Sequence, residues 1–137
     1  MNNNAPSNSL LHNIFLGALL VLSPLATNTA LAQALFSCDL LIGAWAGEHR
    51  DVMGNYARWI ADYSDDDRLR LEFFDDRGTL LSVQEGQWQC QGTTLFTTLS
   101  AQGEKLEFTY QILSLDESNF SYRSEYDGTV FQSTKTN

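Results

Sequence analysis

"RLRLEFF", Arg68 to Phe74, is the run that decides the fold. Leu69, Leu71 and Phe73 alternate with Arg68, Arg70 and Glu72, which is the period of a strand with one dry face and one wet face. The same period recurs in "KLEFTYQIL", where Leu106, Phe108, Tyr110 and Ile112 alternate with Glu107, Thr109 and Gln111. It returns in "NFSYRSE", where Phe120 and Tyr122 oppose Arg123 and Glu125. Strand-like runs cover Leu41–His49, Tyr56–Tyr63, Arg68–Phe74, Thr79–Gln89, Thr93–Leu99, Lys105–Leu115, Phe120–Tyr126 and Thr129–Lys135. Gly-, Asp- and Asn-rich links such as "DVMGN", "DDRG" and "AQGE" separate them, and these are turn residues. The shortest links, "QG" and "DG", suit tight hairpins.

Short links allow only sequential antiparallel pairing, because parallel neighbours need long crossovers. Beyond the N-terminal region no stretch holds a helical period, and no proline follows Pro24. Consecutive strands with little else predict an all-β chain closed into an antiparallel, eight-stranded up-and-down barrel, which removes both sheet edges. A two-sheet sandwich is the alternative. Inward positions are predicted at Trp45, Trp59, Leu69, Leu71, Phe73, Leu81, Val83, Leu95, Leu99, Leu106, Phe108, Tyr110, Ile112, Phe120, Tyr122 and Val130. So many large side chains predict a mostly filled barrel with a shallow cup at one end. Tyr56, Phe74, Phe96 and Phe131 fall on the outer parity, either as an exposed contact cluster or over a bulge at Gly86.

Residues 1–32 read as a secretory signal peptide: an apolar run from Ile14 to Leu22, then small residues ending in Ala30-Leu31-Ala32. Its n-region lacks Lys and Arg. The run is too short to span a bilayer, and the first mature residue falls at Gln33 or, second, at Leu35. Residues 33–39 form an N-terminal segment carrying Cys38, and residues 40–137 form one barrel domain. The predicted compartment is periplasmic or secreted. Cys38 and Cys90 are the only cysteines, and an even pair in an exported domain predicts a disulfide. The other reading is a lipoprotein anchored through Cys38, which follows a small residue in "LFSC".

The chain carries 17 acidic and 8 Lys/Arg residues, a formal charge of −9. That disfavours nucleic acid and anionic membranes, and it favours encounter with a basic protein partner. Catalytic residues are not predicted. His49 lies beyond the N-terminal region with no nucleophile aligned to it, and it reads as an exposed turn residue. "SDDDR", Ser64 to Arg68, lacks the spacing of a calcium loop, so no metal or cofactor is expected.

The start of the first strand, "LIGAWAGEHRD", places Gly43 two residues before Trp45. With "GNYARW", "RLRLEFF", "GQW" and the closing "YQILSLDESNFSYRSEYDGTVFQS", it resembles the short bacterial lipocalin-like domains over nearly all of residues 40 to 135. In that family the G-x-W signature, here Gly43 and Trp45, closes one barrel end, commonly under an arginine. Arg123 and Lys135 are nearby, but parity puts Arg123 outside, and no residue inherits that role. The resemblance implies an exported protein that binds a small apolar or amphipathic molecule at the barrel mouth, lined by Trp59, Tyr63, Tyr110 and Tyr122. The alternative is a protein–protein module, such as a periplasmic inhibitor of an exported lysozyme or protease.

Overall fold

The computed structural model describes residues 36–137, so the predicted signal peptide and residues 33–35 lie outside the described residues. A short 3-10 helix, Cys38–Leu41, leads into eight strands: β1 (Gly43–Arg50), β2 (Tyr56–Tyr63), β3 (Arg68–Phe74), β4 (Leu80–Gln91), β5 (Thr94–Ala101), β6 (Glu104–Leu115), β7 (Asn119–Ser124) and β8 (Val130–Lys135). Each pairs antiparallel with its neighbours in sequence, and β1 pairs with β8, closing the barrel. The seam is short. Trp45, Ala46 and Gly47 face Lys135, Thr134 and Ser133, and the Thr136 amide adds a bond to the Ala44 carbonyl at 2.9 Å.

The two ends differ. Turns at residues 64–67, 92–93 and 116–118 join strands at the end where the 3-10 helix sits, which we call the base. Turns at residues 51–55, 75–79, 102–103 and 125–129 form the mouth. The base is solid. Leu41, Trp45, Leu95 and Phe120 are its most deeply buried large side chains, and Trp45 meets Phe120 edge-on at 5.6 Å. Burying a side chain of that size contributes about 3 kcal/mol. The Trp45 indole donates to the Leu41 carbonyl at 2.8 Å, so the tryptophan both fills the base and anchors the helix across it.

The opening glycine of β1 now has a reason. Gly43 has φ of +121°, a conformation L side chains rarely adopt, and a Cβ there would stand 2.8 Å from the Lys135 stem. Lys135 faces inward, and its ammonium lies 5.1 Å from the centroid of the Trp45 ring and donates to the Leu40 carbonyl at 3.2 Å. The cation beneath the first-strand tryptophan is therefore a lysine from the last strand. Cys38 and Cys90 are joined in a disulfide, Cα to Cα 5.8 Å, tying the base helix to β4. That bond occupies the sulfur that acylation of Cys38 would require.

Register corrects the predicted interior in two strands. β3 and β4 pair Leu71 with Gln84 and Phe73 with Ser82, so Leu81 and Val83 face outward, and both are exposed. β7 and β8 pair Tyr122 with Phe131 and Phe120 with Ser133, so Phe131 is inside and Val130 is outside. Leu106 and Phe108 do share the inner face, paired with Leu99 and Thr97, yet they stand exposed where β6 runs past the end of β7. Bulges fall between Phe73 and Phe74 and between Ile112 and Ser114, rather than at Gly86. The remaining outer aromatics do not form a contact cluster. Tyr56 lies under the Arg50 guanidinium and donates to Glu48 at 2.9 Å, Phe74 is half-buried at its bulge, and Phe96 is exposed on its own strand face.

Candidate binding site

Above the base plug the interior opens. A cavity of about 210 Å³ extends from the mouth down to Tyr63 and Leu69, lined by side chains from β1, β2, β3, β5, β6, β7 and β8. Its presence follows from residue sizes. β2 contributes Ala57 and Ala61 on the same inward face as Trp59 and Tyr63, and small residues between large ones leave unfilled space. β4 adds only Ser82, Gln84 and Gly86 at this level, which cannot fill the gap across from β3.

The four residues predicted to line a ligand site, Trp59, Tyr63, Tyr110 and Tyr122, all border this cavity. The rings of Trp59, Tyr110 and Tyr122 form one aromatic wall with Phe131, while Tyr63 packs edge-on against Trp88. Tyr110 meets Tyr122 edge-on at 5.3 Å, Tyr122 stacks on Phe131 at 5.3 Å, and Trp59 meets Phe131 edge-on at 5.7 Å. Packing of this kind holds the rings in fixed orientations. Trp59 owes its position to Gly47 on the neighbouring strand. A Cβ at Gly47 would run into the Trp59 ring and stand 2.7 Å from the Ser133 hydroxyl. Gly43 and Trp45 serve the base and do not border the cavity.

Two residues enter the site that the sequence reading placed elsewhere. Phe131 was expected outside, and it forms part of the wall. His49, expected in an exposed turn, is the last inward-facing residue of β1, half-buried against Phe131 at 5.4 Å. Counting the pleat from Trp45 through Gly47 reaches His49, so parity alone carried the signal.

Apart from His49 at the mouth and the three tyrosines, the wall has no titratable side chain. None of the lining residues is Asp, Glu, Lys or Arg. Burial raises the pKa of Tyr63 well above the usual tyrosine value, with the phenols of Tyr122 and Tyr110 adding to it. Burial likewise raises Tyr122, partly offset by the Ser133 hydroxyl and the Trp59 indole beside it. Tyr110 moves in the same direction, chiefly by burial. Chemically the site can enclose an apolar body and offer it neutral hydrogen-bonding groups.

The acidic turn at the base makes its own bonds. The Ser64 hydroxyl donates to Asp66 at 2.7 Å, and Asp66 pairs with Arg68 at 2.6 Å. Among the described residues no cluster of His, Cys, Asp and Glu has the grouping of a metal site, and no helix is long and apolar enough to cross a membrane. The lipocalin-like resemblance rests on the barrel itself: no family model matches the chain, and no curated protein matches it in sequence.

Proposed function

We propose that this protein is an exported, lipocalin-like binding protein that holds one small apolar or amphipathic molecule in the mouth half of its barrel. The supporting observation is the cavity, about 210 Å³ with an aromatic wall, above a base that is packed solid. It is smaller than the cavities of several hundred Å³ that take drug-sized ligands, so the molecule is small or enters only in part. The proposal includes secretion or periplasmic residence, and a role without catalysis.

The test is paired denaturing and native mass spectrometry on protein exported by a bacterial host. The denatured mass is expected to start near Gln33 with the cystine intact. The native mass is expected to exceed it by one small molecule, or to do so after exposure to a panel of apolar compounds. Protein that stays bare against the whole panel refutes the binding reading.

One observation favours the second reading, a protein–protein module. Val52, Met53 and Tyr126 are 106%, 85% and 93% exposed on two mouth turns. Apolar tips of that kind suit contact with another protein. Loss of ring mobility at Tyr126 on adding a basic hydrolase such as lysozyme, read by NMR, would support it; unchanged spectra at low salt would end it.

A further inference from the structure

The site contains polar atoms with no well-formed hydrogen bond inside the protein. Of the three indoles, Trp45 and Trp88 donate to the carbonyls of Leu41 and Ser64, at 2.8 and 3.0 Å. Trp59 is only 6% exposed, and its N–H reaches only the Tyr122 phenol, a weak contact beside those two bonds. Tyr63 and Tyr122 are 5% and 8% exposed, and their hydroxyls also lack a well-formed bond within the protein. The Ser133 hydroxyl and the Trp59 indole reach the Tyr122 phenol only as weak hydrogen-bond partners, and the Ser133 oxygen, fully buried, has no partner of good geometry. Buried tyrosine hydroxyls and tryptophan N–H groups ordinarily find a partner. Here three of them border a cavity.

Two further facts restrict the occupant. No Asp, Glu, Lys or Arg lines the cavity, so a carboxylate or ammonium drawn inside, below His49 at the mouth, would lose its water and meet no fixed counter-charge. Size sets the other limit. A dry cavity of about 150 Å³ accepts benzene, so 210 Å³ scales to about eight or nine non-hydrogen atoms.

We infer that the cavity selects an uncharged, ring-sized molecule carrying a hydroxyl or carbonyl, whose polar atom completes the hydrogen bonding of Trp59, Tyr63 and Tyr122. The inference rests on the binding role proposed above and names the ligand class for that site. It separates this barrel from one that would take fatty acids by their carboxylates, and from one that would take a plain hydrocarbon.

Three probes of similar length test it: 4-ethylphenol, ethylbenzene and 4-methylbenzoate, with 1-dodecanol as a long-chain control. Binding is read by calorimetry and by the indole N–H cross-peaks in a ¹H–¹⁵N spectrum. 4-Ethylphenol is expected to bind about tenfold more tightly than ethylbenzene, the worth of one net hydrogen bond, and to shift one indole peak selectively. 4-Methylbenzoate is expected to be the weakest of the three. Trp59→Phe and Tyr122→Phe keep the ring volume, and each should pull the 4-ethylphenol to ethylbenzene ratio toward one. Equal affinity for ethylbenzene, or preference for the benzoate, overturns the ligand class while the binding role stands. Binding of 1-dodecanol alone overturns the size limit and also leaves that role intact. If none of the four binds, the proposed function falls with the inference.

Discussion

Filling the cavity should stabilise the protein and abolish its binding at one stroke, and Ala61→Leu is the substitution that does it. Ala61 is 4% exposed, borders the cavity, and pairs with Trp45 on one side and Leu71 on the other. Leucine adds three carbon atoms. At about 0.8 kcal/mol for each buried methylene, that is about 2.4 kcal/mol. The cavity coefficient of about 24 cal/mol per Å³, applied to roughly 80 Å³ of new side chain, gives about 1.9 kcal/mol. Fixing a leucine rotamer removes about 0.5–1 kcal/mol of this. The net gain is then about 1–2 kcal/mol, which for a domain of about 100 residues raises Tm by about 5–10 °C. Differential scanning calorimetry of the wild type, Ala61→Val and Ala61→Leu measures it, and the gain should grow with side-chain size. A barrel collapsed onto itself in solution would respond in the opposite sense, because overpacking costs about 1–3 kcal/mol. A fall in Tm across the series would therefore refute the cavity, and with it every argument built on the cavity's volume.

Gly47→Ala should act the other way: with Trp59 and Ser133 already where a Cβ would go, it is expected to cost about 1–3 kcal/mol and to change Trp59 fluorescence. An unchanged Tm and emission spectrum would show that Trp59 does not sit against β1. Replacing both Cys38 and Cys90 by alanine opens a loop whose ends are 52 residues apart, and chain entropy puts the loss at about 4 kcal/mol. Dithiothreitol should lower the Tm of the wild type but leave the double variant unmoved, and equal response in both would contradict the bond. Alkaline pH should unfold the chain early. Tyr63 and Tyr122 hold their protons more tightly folded than the usual 10.0, so above that pH the unfolded chain releases protons first and gains relative stability. Stability should be level below pH about 9 and fall as pH rises past 10, lost fully only above the raised values; Tyr63→Phe should flatten the fall, and an identical fall in that variant would count against burial of this phenol.

How much of this could be read from the chain depended on whether a strand had an unambiguous face. β3, β6 and β7 have a legible face because their large apolar residues favour one parity, Leu69-Leu71-Phe73 and the Tyr110 and Tyr122 rows, while β2 is less clean, with Tyr56 and Ile60 opposing Ala57-Trp59-Ala61-Tyr63. Closure followed from link length, and the site residues followed from which aromatics shared the inner face. β4 misled because its outer face is the more apolar one, Leu81 and Val83, while its inner face is Ser82, Gln84 and Gly86. Trp88 has the parity of that inner face and is buried, and counting back from it gives the observed register. β8 misled for a related reason. Its inner residues Ser133 and Lys135 look like surface residues until their partners are known: Ser133 faces Gly47 and Phe120, while Lys135 lies over Trp45.

The positions that were hardest to read are also the ones that make the barrel hollow. Had β4 presented Leu81 and Val83 inward, as apolar preference alone demands, their side chains would have entered the space opposite Leu71 and Phe73. The same holds for Ser133, a small residue beside Trp59 and Tyr122 where a larger one would displace the rings. A domain of this length gains stability from every buried side chain, so small and polar residues on an inner face carry a cost that filling would remove. Local preference and global packing disagree at these strands and agree in β3 and β6. Disagreement of that kind marks a function that stability alone would not select, and it falls beside one cavity: Ser82 and Gln84 pair with the lining residues Phe73 and Leu71, and Ser133 stands with Trp59 over Gly47. Ser82→Leu tests this on a strand outside the aromatic wall: beside Phe73 on the neighbouring strand and exposed in the wild type, a leucine that folds into the mouth should raise Tm and weaken 4-ethylphenol. A rise in Tm with binding unchanged would show that this part of β4 does not bound the site.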